Sequence, residues 1–424
     1  MLDLKLIIAK SDYVKEALKK KNWDFDPSKI IELDKKRKAL ILTTEENKAE
    51  QNKLSSLVPQ YKKEGKDPKE IFNKVKELAK LNKDKEVELK QIDTEIHNIL
   101  AELPNLPDDD LLGGGKENNK VIKVVNPKPN FNFKIKDHVE LAKSLGLIDY
   151  DRAAKISGEG TWIYTDKGAL LEWALINYFI STHLKNGFTF ILPPHMLNQE
   201  SGYGAGQFPK FSNAVFHIEG TNKFLLPTAE TALVNYHRNE ILKESDLPKK
   251  YFAYTPCYRQ EAGSYRTEER GMIRGYQFNK VEIVQYTTKE DSDRAFEEMV
   301  NIASSLVERL GLHFQLSKLA AGDCSHSMAR TYDIEVYLPS MNIYKEVSSA
   351  SNARDYQARR TLCRYKDKDG KTQFCHTLNA SGLATSRLFP AILEQNQQAD
   401  GSVIIPEVLR PFMGGITKLE PIKK

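Results

Sequence analysis

Residues 29–100 contain only three helix breakers, Pro59, Gly65 and Pro68, and this constrains the fold more than any other feature of the chain. The stretch has two aromatic residues, Tyr61 and Phe72, and no Cys or Trp, while its 17 Lys and Arg exceed its 14 Asp and Glu by three. Such a composition reads as long, charged helix. In the second half Ile71, Val75, Leu78, Asn82, Lys85, Leu89, Ile92, Ile96 and Ile99 alternate by four and three, the spacing of a coiled-coil seam. In the first half Leu33, Leu40, Asn47, Leu54 and Tyr61 recur every seven, with Thr44 and Gln51 among the partner positions. Pro59 is expected to end or kink the first helix in its last turn. Gly65-Lys-Asp-Pro68 then makes a turn, with Asp67 or the residues beside it placed to cap the next helix. The predicted object is an antiparallel two-helix hairpin over about 29–100, projecting on the order of 50 Å. Pattern alone leaves open whether it is a dimerising coiled coil, part of a bundle, or a protruding arm that binds a partner.

Composition shifts again at Leu103-Pro-Asn-Leu-Pro-Asp-Asp-Asp110 and Gly113-Gly-Gly-Lys-Glu-Asn118, a linker over about 103–120. The 424 residues are therefore expected to divide into an N-terminal domain over 1–112 and a second domain over 113–424. Gly113-Gly-Gly-Lys116 is not a phosphate loop: it lacks the first glycine at the required spacing, a hydroxyl after the lysine, and a preceding apolar strand. No apolar run approaches the roughly 18–20 residues a membrane helix needs, and the N-terminus lacks signal-peptide layout, so no membrane association is expected. Four scattered cysteines, Cys257, Cys324, Cys363 and Cys375, do not make a disulfide scaffold and suit a reducing, cytoplasmic compartment. A net charge of +5 permits a polyanionic partner without demanding one.

From about residue 135 the pattern is globular. Leu170–Leu184 reads as an amphipathic helix. Short β-type runs follow at 189–192, 223–226, 251–254, 281–284, 334–337 and 343–347, interrupted by helix at 289–310. Strands in series without regular strand–helix alternation predict an α+β domain, an antiparallel sheet flanked by helices.

Several catalytic devices are absent from the sequence: Gly-x-Ser-x-Gly, Gly-x-Gly-x-x-Gly after a strand, and His-Glu-x-x-His. Gly202-Tyr-Gly-Ala-Gly206 is read as a flexible loop. Cys324-Ser-His326, Cys363 and Cys375-His376 have spacings that fit no zinc pattern, so no zinc is expected. The informative residues are arginines and carboxylates at strand edges. Tyr258-Arg259-Gln260-Glu261 follows one strand; a polar loop, 262–271, leads to Arg274-Gly-Tyr-Gln-Phe278 and then Asn279-Lys-Val-Glu282. The planar arginine fork suits phosphate oxygens, and Phe278 can stack on a base.

This arrangement resembles motif 2 of the class II aminoacyl-tRNA synthetases. Gly187-Phe188 with Pro194 resembles motif 1, the dimer-interface helix and strand, and Gly382-Leu-Ala-Thr-Ser-Arg387 resembles motif 3. Within the class, Thr228-Ala-Glu230, Tyr344-Lys-Glu346-Val-Ser-Ser349, Gln357-Ala-Arg-Arg360, Thr377-Leu-Asn-Ala-Ser-Gly382 and the N-terminal hairpin resemble the seryl-tRNA synthetase family, of the bacterial rather than the zinc-dependent archaeal form.

The resemblance implies an ATP-dependent serine–tRNA ligase: serine and ATP give seryl-adenylate and pyrophosphate, and the seryl group passes to the 3′ end of tRNA(Ser). It implies that Arg259 holds the α-phosphate and Arg387 the γ-phosphate, that Glu261 and Phe278 bind adenine with Gln260 beside them, and that Arg274 lies against ATP. Glu346, Val347, Ser348 and Ser349 would complete the ATP site, Glu346 and Ser349 holding Mg²⁺ through ATP. Arg259, Arg387 and Glu346 would carry catalysis. Thr228, Ala229, Glu230, Arg259, Glu282, Asn379 and Ser381 would form the serine pocket. The hairpin would grip tRNA, with the arm of one subunit serving the site of the other in a homodimer built on motif 1. A catalytically silent RNA-binding paralogue is the alternative. It would be expected to lose Arg259, Glu282, Glu346 or Arg387, and all four are present.

Overall fold

A computed structural model describes residues 1–261 and 271–422; the polar loop expected between Glu261 and Gly271 lies outside the described residues. Contacts divide the chain into two compact units, one of residues 2–16 and 24–103, the other of residue 1, 17–23 and 104–424.

The first unit carries the hairpin, with α1 over Ser28–Lys63 and α2 over Lys69–Glu102. Every position of the expected stripe on α2 is buried or half-buried, and so are Leu33, Leu40, Asn47, Leu54 and Tyr61 on α1. Pro59 forgoes one backbone bond, and α1 ends one turn later at Lys63. Gly65 takes a positive φ of 69°, and the Asp67 carboxylate accepts from the Lys69 N–H at 2.9 Å, as expected of the cap. Across the seam Lys29 meets Glu95 at 2.6 Å, Arg37 meets Asp93 at 2.7 Å and Lys48 meets Glu86 at 3.2 Å, the falling numbers of an antiparallel pair. Asn47 Nδ2 donates to Asn82 Oδ1 at 3.0 Å within the seam. Such a polar pair costs stability relative to two leucines and specifies register in return.

The second unit is organised on an eight-stranded sheet: β1 Lys120–Val125, β2 Thr189–Phe190, β3 Lys249–Tyr258, β4 Gln277–Thr287, β5 Phe314–Lys318, β6 Arg330–Leu338, β7 Ile343–Asn352 and β8 His376–Ala384. The spatial order is β1-β5-β6-β7-β8-β4-β3-β2, antiparallel throughout except for β2 on β3. One face packs on α3 (Lys167–Lys185), α4 (Ser292–Arg309) and α5 (Thr385–Gln395). Leu171, Phe179, Phe296, Val300, Leu388 and Ile392 meet Val281, Ile283, Ile334 and Val336 in this core. The two-residue period of a strand sends the alternate side chains, Lys280 and Glu282 on β4 and Asp333 and Glu335 on β6, to the opposite face. The β6–β7 register slips past Val347, so that Glu335 lies opposite Glu346 and Asp333 opposite Ser349. This bulge brings a carboxylate and a hydroxyl three residues apart onto one face. No helix among the described residues is long and apolar enough to cross a membrane.

The reading of 202–206 as a flexible loop is corrected. Gln199–Gly204 is a short helix, capped by the Asn198 side chain on the Ser201 N–H at 3.1 Å. Its glycines serve close packing: a Cβ at Gly202 would lie 2.3 Å from the Phe208 ring, and one at Gly204 2.4 Å from Asn235 Oδ1.

Glu172 joins three elements that are far apart in the chain. From α3 it accepts from Asn279 Nδ2 of β4 at 2.8 Å and from Thr385 Oγ1 of α5 at 2.6 Å. Burial pushes its carboxyl up to about 7. The folded chain thus keeps a proton there that the unfolded chain has released by about pH 5, so this group makes stability fall as pH rises from about 4.5 to 7. Glu172→Gln is expected to remove that slope, worth up to about 3 kcal/mol. Denaturant titrations at pH 5 and pH 8 check it; an unchanged pH dependence in the variant would contradict the assignment.

Candidate active site

The polar face of the sheet forms the floor of a cleft of about 880 Å³ that reaches from Arg387 and Glu346 to Lys210 and Phe211. One end is anionic. Glu282 is 1 % exposed and ion-paired to Lys280, which also donates to Thr228 Oγ1 at 2.8 Å; the Thr228 hydroxyl lies 3.2 Å from Glu282 Oε2. Glu230 accepts from Gln357 Nε2 at 2.8 Å, and Gln357 is itself held by the Thr377 hydroxyl at 2.7 Å. Burial, and then the Glu282 charge, push the Glu230 carboxyl up to about 7. Asn379, 8 % exposed, lines the same cleft, and its Oδ1 has no hydrogen-bond partner among the described residues. A buried amide oxygen without a partner is costly, and a donor on a bound ligand would relieve it. Ser381 stands opposite Glu282 on β8.

The other end is cationic. Arg259 is held by its Nε donating to the Pro227 carbonyl at 3.2 Å, and its guanidinium lies 5.1 Å from the Phe278 ring centroid. Arg274 Nε pairs with Glu261 at 2.5 Å. Arg387 Nη1 donates to the Glu346 carbonyl at 2.9 Å and reaches the Glu346 carboxylate at 3.3 Å. Ser349 Oγ donates to the other Glu346 oxygen at 2.8 Å. Burial works to raise the Glu346 carboxyl, but the charge of Arg387, the Ser349 hydroxyl and Arg259 together hold it below the ordinary glutamate value. Beside it Asp333 moves the opposite way: burial and the Glu346 charge push its carboxyl well above the usual range.

The structure thus brings Arg259, Glu261, Arg274, Glu346, Ser349 and Arg387 together with Thr228, Glu230, Glu282, Asn379 and Ser381 around one cleft, and Phe278 closes its cationic end. Four other candidates are engaged with the protein itself, although Val347 also lines the cationic end. Val347 belongs to the apolar core, Ala229 is wholly buried, Ser348 Oγ donates to the Ser381 carbonyl at 2.5 Å, and Gln260 Nε2 donates to the Val215 carbonyl at 2.8 Å. Sequence reasoning missed Lys280, Gln357, Asp333 and Glu335 as site residues. The signal for three of them was present: a charged residue two positions from Glu282, and two carboxylates alternating with apolar residues in β6, mark the polar face of each strand. Gln357 acts from a short helix, Tyr356–Thr361, and only the tertiary fold brings it to Glu230.

Chemically, the cleft can take a polyphosphate at its arginines and a small cationic, hydrogen-bonding group at Glu282, Glu230 and Asn379. Residues 215–396 match the model of the tRNA synthetase class II core domain (G, H, P, S and T), and residues 1–107 that of the seryl-tRNA synthetase N-terminal domain. The chain is 57% identical to serine--tRNA ligase 2 of Clostridium acetobutylicum, covering 98% of this chain and 99% of that one. It is 42% identical to serine--tRNA ligase of Syntrophobacter fumaroxidans, covering 99% and 100%. The crystal structure of seryl-tRNA synthetase from Pyrococcus horikoshii complexed with ATP shares a TM-score of 0.95 with it at 31% identity, covering 100% of both chains. The chain belongs to the seryl-tRNA synthetase family of the class II aminoacyl-tRNA synthetases.

Proposed function

We infer that this chain is a serine–tRNA ligase: it joins L-serine to ATP as seryl-adenylate, releasing pyrophosphate, and then passes the seryl group to tRNA(Ser), releasing AMP. The observation that carries the reading is the two-ended cleft, with arginines at one end and a buried anionic pocket at the other. The serine carboxylate attacks the α-phosphorus as an anion, so no protein base is needed, and catalysis rests on positioning and charge neutralisation. Arg259 would hold the α-phosphate and Arg387 the γ-phosphate of a bent ATP. Phe278 would stack on adenine, with Glu261 and the backbone of Gln260 at its edge and Arg274 beside it. Glu282 and Glu230 would accept from the serine ammonium and hydroxyl. The free Asn379 oxygen, with Ser381 and Thr228, would complete a pocket that rejects alanine by leaving polar groups unpaired.

Glu346 and Ser349 are hard oxygen donors, and with only two of them a Mg²⁺ there would take its remaining ligands from phosphate and water. When bound, such an ion would neutralise charge on the polyphosphate. Among the described residues no three His, Cys, Asp or Glu side chains gather as a metal site. The hairpin over 29–100, within an N-terminal domain of 1–112, would grip tRNA by shape and backbone. Trp173 and Leu184 of α3 and Leu192 beyond β2 are 53%, 52% and 71% exposed, and this apolar strip around Gly187–Pro194 would be covered in a homodimer.

Serine-dependent exchange of pyrophosphate into ATP tests the reading. Glu282→Gln, which keeps the shape of the pocket, is expected to raise KM for serine by about 10- to 100-fold and KM for ATP by less than about 3-fold. Equal losses for both substrates would move Glu282 out of the amino-acid pocket. Deleting residues 29–100 is expected to leave exchange within about 3-fold of the full chain while charging of tRNA(Ser) falls by at least about 100-fold. Near-normal charging by the truncated chain would contradict the arm assignment.

A further inference from the structure

Lys210, Phe211 and Lys116 also line this cleft, and the ligase reading above gives them no part in serine activation. Lys210 Nζ lies 5.5 Å from the Phe211 ring centroid, 5.8 Å from the Trp23 ring centroid and 3.5 Å from His326 Nδ1. The Trp23 and His326 rings meet edge-on at 5.7 Å. Lys210 is exposed with no ion-pair partner among the described residues, and Phe211 is 41% exposed. Lys116 adds a second exposed cation to the same wall; the nearby Asp323 carboxylate accepts from Asn119 Nδ2 at 2.7 Å.

This rim is held rigidly. The Gln207 side chain accepts from the Thr231 hydroxyl at 2.9 Å, the Phe211 N–H donates to the Gln207 carbonyl at 2.8 Å, and Arg360 donates to the Phe208 carbonyl at 2.8 Å. Behind it Lys21 donates to the Ser325 carbonyl at 3.0 Å and the Met328 carbonyl at 2.6 Å.

We propose that Lys210, Phe211 and Lys116 receive the unpaired 3′-terminal nucleotides of the tRNA, with phosphates against the two ammonium groups and one base on the Phe211 ring. This rests on the ligase reading above and adds to it the route by which the second substrate enters. A hydroxyl of the terminal ribose must reach the acyl carbon of the adenylate, which that reading puts between Arg259 and Glu282. Lys210, Phe211 and Lys116 line the same cleft as Arg259 and Glu282. An aromatic platform beside cations is the chemistry that takes single-stranded nucleic acid without reading its sequence, and the terminal nucleotides are single-stranded.

The test compares two reactions in the same full-length preparations. In Lys210→Ala/Phe211→Ala, serine-dependent pyrophosphate exchange is expected to stay within about 2-fold of wild type, while kcat/KM for charging tRNA(Ser) falls by at least about 10-fold. Phe211→Tyr, which keeps the ring, is expected to recover most of the loss caused by Phe211→Ala. Wild type is expected to bind an intact tRNA(Ser) transcript at least about 5-fold more tightly than one lacking its unpaired 3′ nucleotides, and the double variant to bind the two equally. Charging within about 2-fold of wild type by the double variant would overturn the proposal. So would exchange that falls as far as charging, since the pair would then support activation or the fold. A wild-type chain without any exchange would overturn the ligase reading itself and the rim with it.

Discussion

A lysine and a glutamate two residues apart on one strand, both almost wholly buried, set the terms for the rest of this structure. Lys280 and Glu282 stand on the polar face of β4 while Val281 and Ile283 between and beyond them enter the core. A buried ion pair gains little net stability, because desolvating two charges offsets their attraction. What it does supply is a fixed charged wall. The pair is tied to Thr228 on one side, and Glu230 stands close enough to feel its charge. The strand period then dictates the rest: Ser381 lies opposite Glu282, Asn379 follows on β8, and the bulge at Val347 turns Glu346 and Ser349 to the same side.

Much of this was legible beforehand. The hairpin follows from the scarcity of breakers and the four–three spacing of apolar residues from Ile71 to Ile99, a pattern that local sequence alone encodes. The antiparallel sheet follows from strands in series, and all six expected strands are present: those at 189–192 and 223–226 are shorter than their apolar runs, while the run at 251–254 grows to Lys249–Tyr258 and that at 281–284 to Gln277–Thr287. Their ends are polar because they lead into the site. What was not legible depends on tertiary placement. The helix at Gln199–Gly204 hid behind three glycines that propensity assigns to a loop, and the contacts of Gly202 with Phe208 and Gly204 with Asn235 reverse that preference. Gln357 reaches Glu230 from 127 residues away, a distance no spacing rule spans. Val347 and Ser348 were expected in the ATP site through the family resemblance; the Val347 side chain packs in the apolar core while also lining the pocket beside Arg259 and Phe278, and Ser348 Oγ donates to the Ser381 carbonyl.

The cleft also gives a physical reason for one chain to perform two reactions in sequence. The arginine end and the anionic pocket suit adenylate formation, and Lys210 and Phe211, proposed above to receive the second substrate, line the same cleft. Glu172, buried where α3, β4 and α5 meet, joins these three elements through its hydrogen bonds to Asn279 and Thr385.

The most direct measurement is a crystal structure with a non-hydrolysable sulfamoyl analogue of seryl-adenylate. The account requires the seryl hydroxyl and amino groups within hydrogen-bond distance of Glu282 and Asn379, the sulfamoyl oxygens at Arg259, and adenine against Phe278. An analogue bound with its seryl end at Arg387, or outside this cleft altogether, would contradict it.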